Sequence, residues 1–282
     1  MVKQKLKRWI DNNINNKKRK DSDSMKYRYK LSKVIEKFIN DCVLEEINIG
    51  CSDSQVIKII KNDSTYFLKI ARLGLITSEY EKLKWLDNKL DVPKVILYDK
   101  DDVTEFLITE SINGEMVCSD KYIQDPMLGL NVIAQAFKKI LEVDINDCPF
   151  DVSIDYKLKL VENNVKNKLI DISQLSESAL NKFGNLENIL EFLKINKFSE
   201  EKCFSHGDTS LPNIFALDNK FSGFIDVGEC GIADKWFDLA ICEKSIKRNY
   251  GEEYISKFYE ELNIIPDRDK IEYYLLMMEL YL

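Results

Sequence analysis

From Leu31 onward the apolar residues Leu31, Val34, Ile35, Phe38 and Ile39 recur at helical spacing, which predicts an amphipathic helix. The pattern then shifts to short runs rich in β-branched and aromatic residues, "LEEINI", "QVIKII" and "TYFLKIA". The small-residue segment "GCSDS", Gly50 to Ser54, joins the first two runs. Strand, small-residue loop, strand, and a third strand carrying an inward Lys69 together predict a β-meander over a ligand. The segment "SEYEKLKWLDNKL" reads as an amphipathic helix, and "KVILYD" and "TEFLITE" read as two further strands.

After Glu110 the character changes. "DPMLGLNVIAQAFKKILEV" is helical, with Leu130, Ile133, Ala134, Phe137 and Leu141 expected on one buried face. Residues 155–170 and 185–196 are also expected to be helical, with 171–184 as the least regular stretch between helices. Two short strands near 213–217 and 221–226 interrupt the helices, which then continue to the end. The expected architecture is α+β: a small β-rich N-lobe over 25–110, a crossing segment near 110–114, and a larger helical C-lobe over 111–282.

Composition narrows the class. An apolar content of 45% in 282 residues is enough for a packed core. No run of 18 apolar residues occurs, so no spanning helix is expected, and without an apolar signal segment at the start a cytoplasmic location is expected. Seven scattered cysteines without a C-x-x-C pair, together with a single histidine, argue for reduced core thiols and against zinc. The net charge of −7 is uneven: residues 1–30 hold 11 Lys/Arg against 3 Asp/Glu, leaving 30 basic against 45 acidic groups elsewhere. An acidic body disfavours nucleic acid and attracts cationic small molecules. Residues 1–24 read as a disordered basic leader, with an RNA or membrane arm as the alternative and Met25 as a second candidate start.

The candidate chemistry lies in "FSHGDTSLPNIF". Phosphoryl transfer needs a carboxylate to orient the attacking hydroxyl, oxygen ligands for Mg²⁺ and a lysine on the nucleotide phosphates. Asp208 follows an apolar strand, Asn213 stands five residues later, and Asp226 ends the run "FSGFID" before Gly228. The Asp-x₄-Asn spacing equals that of the protein-kinase catalytic loop, and "IDVG" stands where the metal-binding Asp-Phe-Gly stands there. Upstream, Lys69 needs a carboxylate to hold it, and Glu79 at the start of the next helix is the candidate. Singly, each of these residues is as well explained as a cap or turn former; the ordered set is what points to a kinase. His206 and Asp238 read as buried braces beneath the Asp208 loop, and Trp236 and Phe237 as core.

These residues carry a resemblance. "SHGDTSLPNIF", "FSGFIDVGECGIADKWFDLA" and "SIKRNYGEEY" closely resemble the aminoglycoside phosphotransferases, especially the 3′-phosphotransferases, with a likeness that runs from about residue 28 to the end. The resemblance implies a two-lobed protein-kinase-like fold and Asp208 as the catalytic base. It implies Asn213 and Asp226 as Mg²⁺ ligands, and Lys69 on the α/β-phosphates of ATP (GTP possible), held by Glu79. It also implies a phosphate-covering loop at Gly50, Cys51 and Ser52. The purine would be read by the backbone of Glu110, Ser111 and Ile112, with Thr109 behind it.

The departures concern the acceptor. Glu229 stands where the family usually has Arg, Met278 takes one place of a C-terminal acidic pair and leaves Glu279, and Lys244 replaces another Arg. The stretch 171–184 keeps only Asp171 and Glu177 as acids. Glu177, Glu229, Lys244 and Glu279 are therefore the candidate acceptor contacts. The function expected is a kinase phosphorylating a hydroxyl of a cationic small molecule, an aminoglycoside. The alternatives are a kinase of a choline-like amine, thiosugar or macrolide, and a catalytically silent nucleotide-binding protein.

Overall fold

The computed structural model describes residues 31–47 and 54–281. Gly50, Cys51 and Ser52, the basic leader, Met25 and Leu282 lie outside the described residues. The described residues divide into two compact units, those of 31–81 with 94–111, and those of 82–93 with 112–281.

In the first unit, helix α1 (Lys33–Phe38) starts at Ser32, whose hydroxyl accepts the Ile35 N–H. Strands β1 (Val43–Ile47), β2 (Gln55–Lys61) and β3 (Ser64–Arg72) are followed by helix α2 (Thr77–Leu86), β4 (Val95–Lys100) and β5 (Thr104–Glu110). The five strands form one antiparallel sheet in the order β1-β2-β3-β5-β4. Ile35 and Ile39 of the helical segment pack with Ile57, Ile59, Leu68, Ile70, Phe106 and Ile108 of the sheet. The buried helical stripe is narrower than the sequence pattern implied, because Val34 sits on its edge and is 52% exposed. A register shift between Val95 and Leu97 ends the clean pairing of β4 with β5.

The second unit adds β6 (Glu115–Met116) and helices α3 (Asp120–Gln124), α4 (Pro126–Glu142), α5 (Ile154–Lys166), α6 (Glu177–Phe183) and α7 (Leu186–Ile195). Strands β7 (Lys202–Ser205), β8 (Ile214–Leu217), β9 (Lys220–Phe224) and β10 (Gly231–Asp234) follow, then helices α8 (Lys235–Asn249), α9 (Ile255–Leu262) and α10 (Arg268–Met278). On α4 the buried stripe runs through Leu130, Ile133, Phe137 and Ile140. That correction to the expected face follows from the helical period, which carries Leu141 past the edge to 45% exposure and leaves Ala134 half-buried.

The stretch 171–184 is more regular than expected. It holds a 3₁₀ turn (Ile172–Gln174) and α6. The Ser176 hydroxyl accepts the Ala179 N–H, and Gly184 ends the helix at φ +80°, a conformation open to glycine. Local caps thus supply what an apolar period too short to read did not. Strand β10 pairs antiparallel with β7, opposing Gly231 to Ser205, and β6-β8-β9 form a second small sheet. These two pairings position everything that follows.

Candidate active site

Strand β7 ends at Ser205 and delivers His206, Gly207 and Asp208 in sequence. Gly207 is required there: it sits at φ +84°, and a Cβ would lie 2.3 Å from the Glu229 carbonyl oxygen. The loop is braced from helix α8. The buried Asp238 accepts the Ser205 hydroxyl and the Gly207 N–H on one oxygen, both at 3.0 Å, and the His206 N–H on the other at 2.8 Å. The Thr209 hydroxyl donates to the Asp238 carbonyl at 2.6 Å, and the Leu211 N–H donates to the Ser245 hydroxyl at 2.9 Å. Asp238 is therefore the brace that its place in "DKWFDLA" suggested, and Trp236 and Phe237 are core residues.

The loop closes in a 3₁₀ turn (Leu211–Asn213) that brings Asn213 back to Asp208. The Asn213 amide nitrogen donates to the Asp208 carboxylate at 2.8 Å, to the Asp208 carbonyl at 3.0 Å and to the Ser210 hydroxyl at 3.3 Å. Those bonds engage the Asn213 amide nitrogen and not its amide oxygen. The Ile225 N–H donates to the Asn213 carbonyl at 3.0 Å, which seats Asp226 beside this loop.

Asp226 is not at a strand terminus. It lies two residues beyond β9, in a left-handed conformation at φ 61° and ψ 56°, and begins a 3₁₀ turn (Val227–Glu229). A non-glycine residue held there costs on the order of 1 kcal/mol.

His206 is fully buried and touches both carboxylate-bearing segments. Its Nδ1 accepts the Asp208 N–H at 3.3 Å, which leaves Nε2 to donate to the Ile225 carbonyl at 3.1 Å. Burial, the largest influence, pushes its pKa down, against the opposing charges of Asp238, Asp208 and Asp226. The folded chain therefore holds a neutral imidazole, while the unfolded chain takes up a proton near the ordinary value of about 6.5. This group's contribution to stability is present above that pH and falls as pH drops below it. Because His206 is the sole histidine, its ring signals are unambiguous in long-range ¹H–¹⁵N spectra. They should report the Nε2–H tautomer from pH 8 down to about 6; an imidazolium signal at pH 6 would contradict this geometry.

In the first unit the Lys69 ammonium meets both carboxylate oxygens of Glu79, at 2.7 and 2.8 Å. Lys69 lies in mid-β3 opposite Leu107 of β5, and Glu79 is the third residue of α2. At the end of β5, the Glu110 N–H donates to the Lys94 carbonyl at 2.9 Å and the Ser111 N–H to the Thr65 carbonyl at 3.1 Å. Those two amides are thus occupied by the protein's own backbone. Thr109 pairs with Phe67 across the sheet, and Ile112 begins the second unit's part of the chain.

The candidate acceptor residues separate. Glu279 accepts the Ser176 N–H at 2.9 Å and the Ser176 hydroxyl at 2.7 Å, which ties the chain after α10 to the start of α6. Glu279 and Lys244 share a cavity of about 880 Å³ whose walls include Ser176, Phe183, Phe192 and Tyr273. Glu177 is exposed at the start of α6 and does not line that cavity. Glu229 is exposed and accepts the Tyr281 hydroxyl at 3.0 Å.

Sequence reasoning passed over Lys82, which is buried and donates to the Gly228 carbonyl at 2.5 Å, close to Asp226. The available signal was its helical spacing to Leu86, which puts a lysine on the apolar face of "SEYEKLKWL".

The family described as "Phosphotransferase enzyme family" matches residues 43–274. An aminoglycoside 3′-phosphotransferase from Enterococcus faecalis is 36% identical over 266 residues, covering 91% of this chain and 99% of that protein. The chain belongs to the aminoglycoside phosphotransferase family. Among solved structures, an aminoglycoside 3′-phosphotransferase of type VIII superposes with a TM-score of 0.76 at 23% identity, over 88% of this chain and 97% of that one. An aminoglycoside phosphotransferase from Streptomyces rimosus, in complex with ADP and streptomycin, superposes with a TM-score of 0.68 at 20% identity, over 87% of this chain and 95% of that one. The fold is the protein-kinase-like one, and as a member of this family the chain is a phosphotransferase with an alcohol group as acceptor.

Proposed function

We propose that this family member transfers the γ-phosphate of a nucleoside triphosphate, ATP or GTP, to a hydroxyl of an aminoglycoside antibiotic and so confers resistance. The observation that carries this reading is the Asp208–Asn213 hydrogen bond on a loop braced by Asp238, with the strained Asp226 seated beside it. The names of the relatives, and the ADP and streptomycin of the Streptomyces rimosus structure, support the nucleotide and the acceptor class.

In this reaction Asp208 accepts a hydrogen bond from the acceptor hydroxyl. The hydroxyl oxygen forms a bond to the γ-phosphorus as the bond to the β–γ bridging oxygen breaks. The proton passes to the Asp208 carboxylate, and the nucleoside diphosphate leaves with the bridging oxygen. Lys69, steadied by Glu79, neutralises phosphate oxygens.

Asn213 and Asp226 fit Mg²⁺: one amide oxygen not used in the Asp208 hydrogen bonds and one carboxylate are the hard oxygen donors that this ion takes alongside phosphate and water. When bound, the ion would offset the negative charge of the phosphates. The loop of Gly50, Cys51 and Ser52 would cover the phosphates, and the carbonyls of Glu110 and Ser111 with the backbone of Ile112 would read the purine, with Thr109 behind it.

At the acceptor side, the carboxylates of Glu229, Glu279 and Glu177 remain the candidates for amino groups; they stand apart, with Glu279 engaged by Ser176 and bordering the same cavity as Lys244. Phosphorylation adds about −1.5 to −2 charges to a polycation, which weakens its hold on RNA.

Mass spectrometry of kanamycin, neomycin and amikacin, each incubated with the full chain, ATP and Mg²⁺, should show a gain of one phosphate on at least one of them. No gain on any, with phosphorylation of a choline-like amine or a macrolide instead, would replace the acceptor class.

A further inference from the structure

Glu105 is a carboxylate with no part in the chemistry above, yet it is fully buried and saturated with donors. It lies on β5 opposite Ala71 of β3. One oxygen accepts the Ile76 N–H at 2.7 Å and the Thr77 N–H at 3.0 Å; the other accepts the Thr77 hydroxyl and, at 2.9 Å, the Tyr98 hydroxyl. Tyr98 is itself held by a parallel stack on Tyr80 of α2, with ring centroids 4.1 Å apart. Burial, the largest influence on the Glu105 carboxyl, pushes its pKa up, but the hydrogen bonds from Thr77, Ile76, Gly74 and Tyr98 outweigh it and hold the group below the usual carboxylate range.

The donors are the first backbone N–H groups of α2, which no helical partner can satisfy and where a negative charge is favoured. Thr77 stands two residues before Glu79, and Glu79 holds Lys69 with both oxygens. β5 therefore pins the start of α2 while β3 presents the lysine, and the ion pair forms between two anchored elements.

We infer that Glu105 is a positioning residue for the nucleotide: by anchoring the first turn of α2 to β5 it sets the place of Glu79 and, through it, of the Lys69 ammonium. This inference rests on the assignment of Lys69 to the nucleotide phosphates.

The test is a kinetic cycle on the full chain with ATP and kanamycin. Glu105→Gln replaces an acceptor oxygen by an N–H₂ group facing N–H donors, so the ATP KM should rise about tenfold, the size of one lost charge-assisted hydrogen bond. The kanamycin KM should stay within about twofold. In a Glu79→Ala background the same substitution should add less than about twofold to the ATP KM, because the ion pair through which Glu105 acts is already gone. Tyr98→Phe keeps the carboxylate and both helix N–H groups, so it should lower the melting temperature and leave the ATP KM unchanged.

An unchanged ATP KM in Glu105→Gln, equal rises in both KM values, or multiplying effects in the cycle would each overturn the positioning role. Lys69→Ala separates the two levels. If it weakens ATP binding while Glu105→Gln does not, only the role of Glu105 falls. If Lys69→Ala leaves ATP binding intact, the assignment of Lys69 falls and this inference falls with it.

Discussion

Replacing Asp208 by Ala should lower kcat by about 10²–10⁴-fold, the span that a positioned general base contributes, while ATP binding persists, as the proposed role of Asp208 requires. The loss appears equally in kcat and kcat/KM, as expected for an interaction made only in the transition state. The geometry also says what else the substitution removes. The Asp208 carboxylate accepts the Asn213 amide and the Ser210 N–H, so the loop loses two internal bonds. A modest fall in melting temperature should accompany the kinetic loss, and ATP titration of the variant separates the two effects. Turnover within about tenfold of the parent would remove Asp208 from the chemistry.

The second large effect belongs to a residue that touches no substrate. Asp238→Ala leaves the Ser205 hydroxyl and the His206 and Gly207 N–H groups buried with no acceptor. Stranding donors from a charge-assisted cluster costs about 3–5 kcal/mol, which for a chain of this size lowers the melting temperature by about 10 °C. Urea unfolding of parent and variant measures it directly. The loop that carries Asp208 hangs from the same three bonds, so kcat should fall even below the new melting temperature. A variant with parental stability would mean that the donors find other acceptors and that Asp238 is no brace.

The chain's order of chemistry was legible because it is linear. Asp208, Asn213 and Asp226 fall within one short stretch, and Lys69 and Glu79 are ten residues apart on successive elements, so spacing alone suggested their grouping. What spacing does not carry is pairing between distant segments. β7 and β10 oppose Ser205 to Gly231, a pairing that brings Glu229 against Gly207, where the missing side chain leaves it room and the positive φ adds a second demand for glycine.

Glu105 was hidden for a related reason. Thr104 to Ile108 are all buried, so "TEFLI" shows no alternation that would separate a solvent-facing carboxylate from one capping a helix start. Position along the chain likewise does not show that the acceptor candidate Glu279 accepts two hydrogen bonds from Ser176 at the wall of a cavity. The left-handed turn at Asp226 is a backbone property that no side-chain pattern announces.

That turn also bears on how such a gene would decay. At Asp226 the polypeptide takes up the left-handed conformation, which glycine adopts more readily than any other residue. In a lineage no longer exposed to drug, drift to glycine at this codon would relax the backbone and erase the carboxylate proposed for the phosphate site in one step. Inactive descendants would then circulate as well-folded proteins, and expression level would say nothing about who still carries resistance.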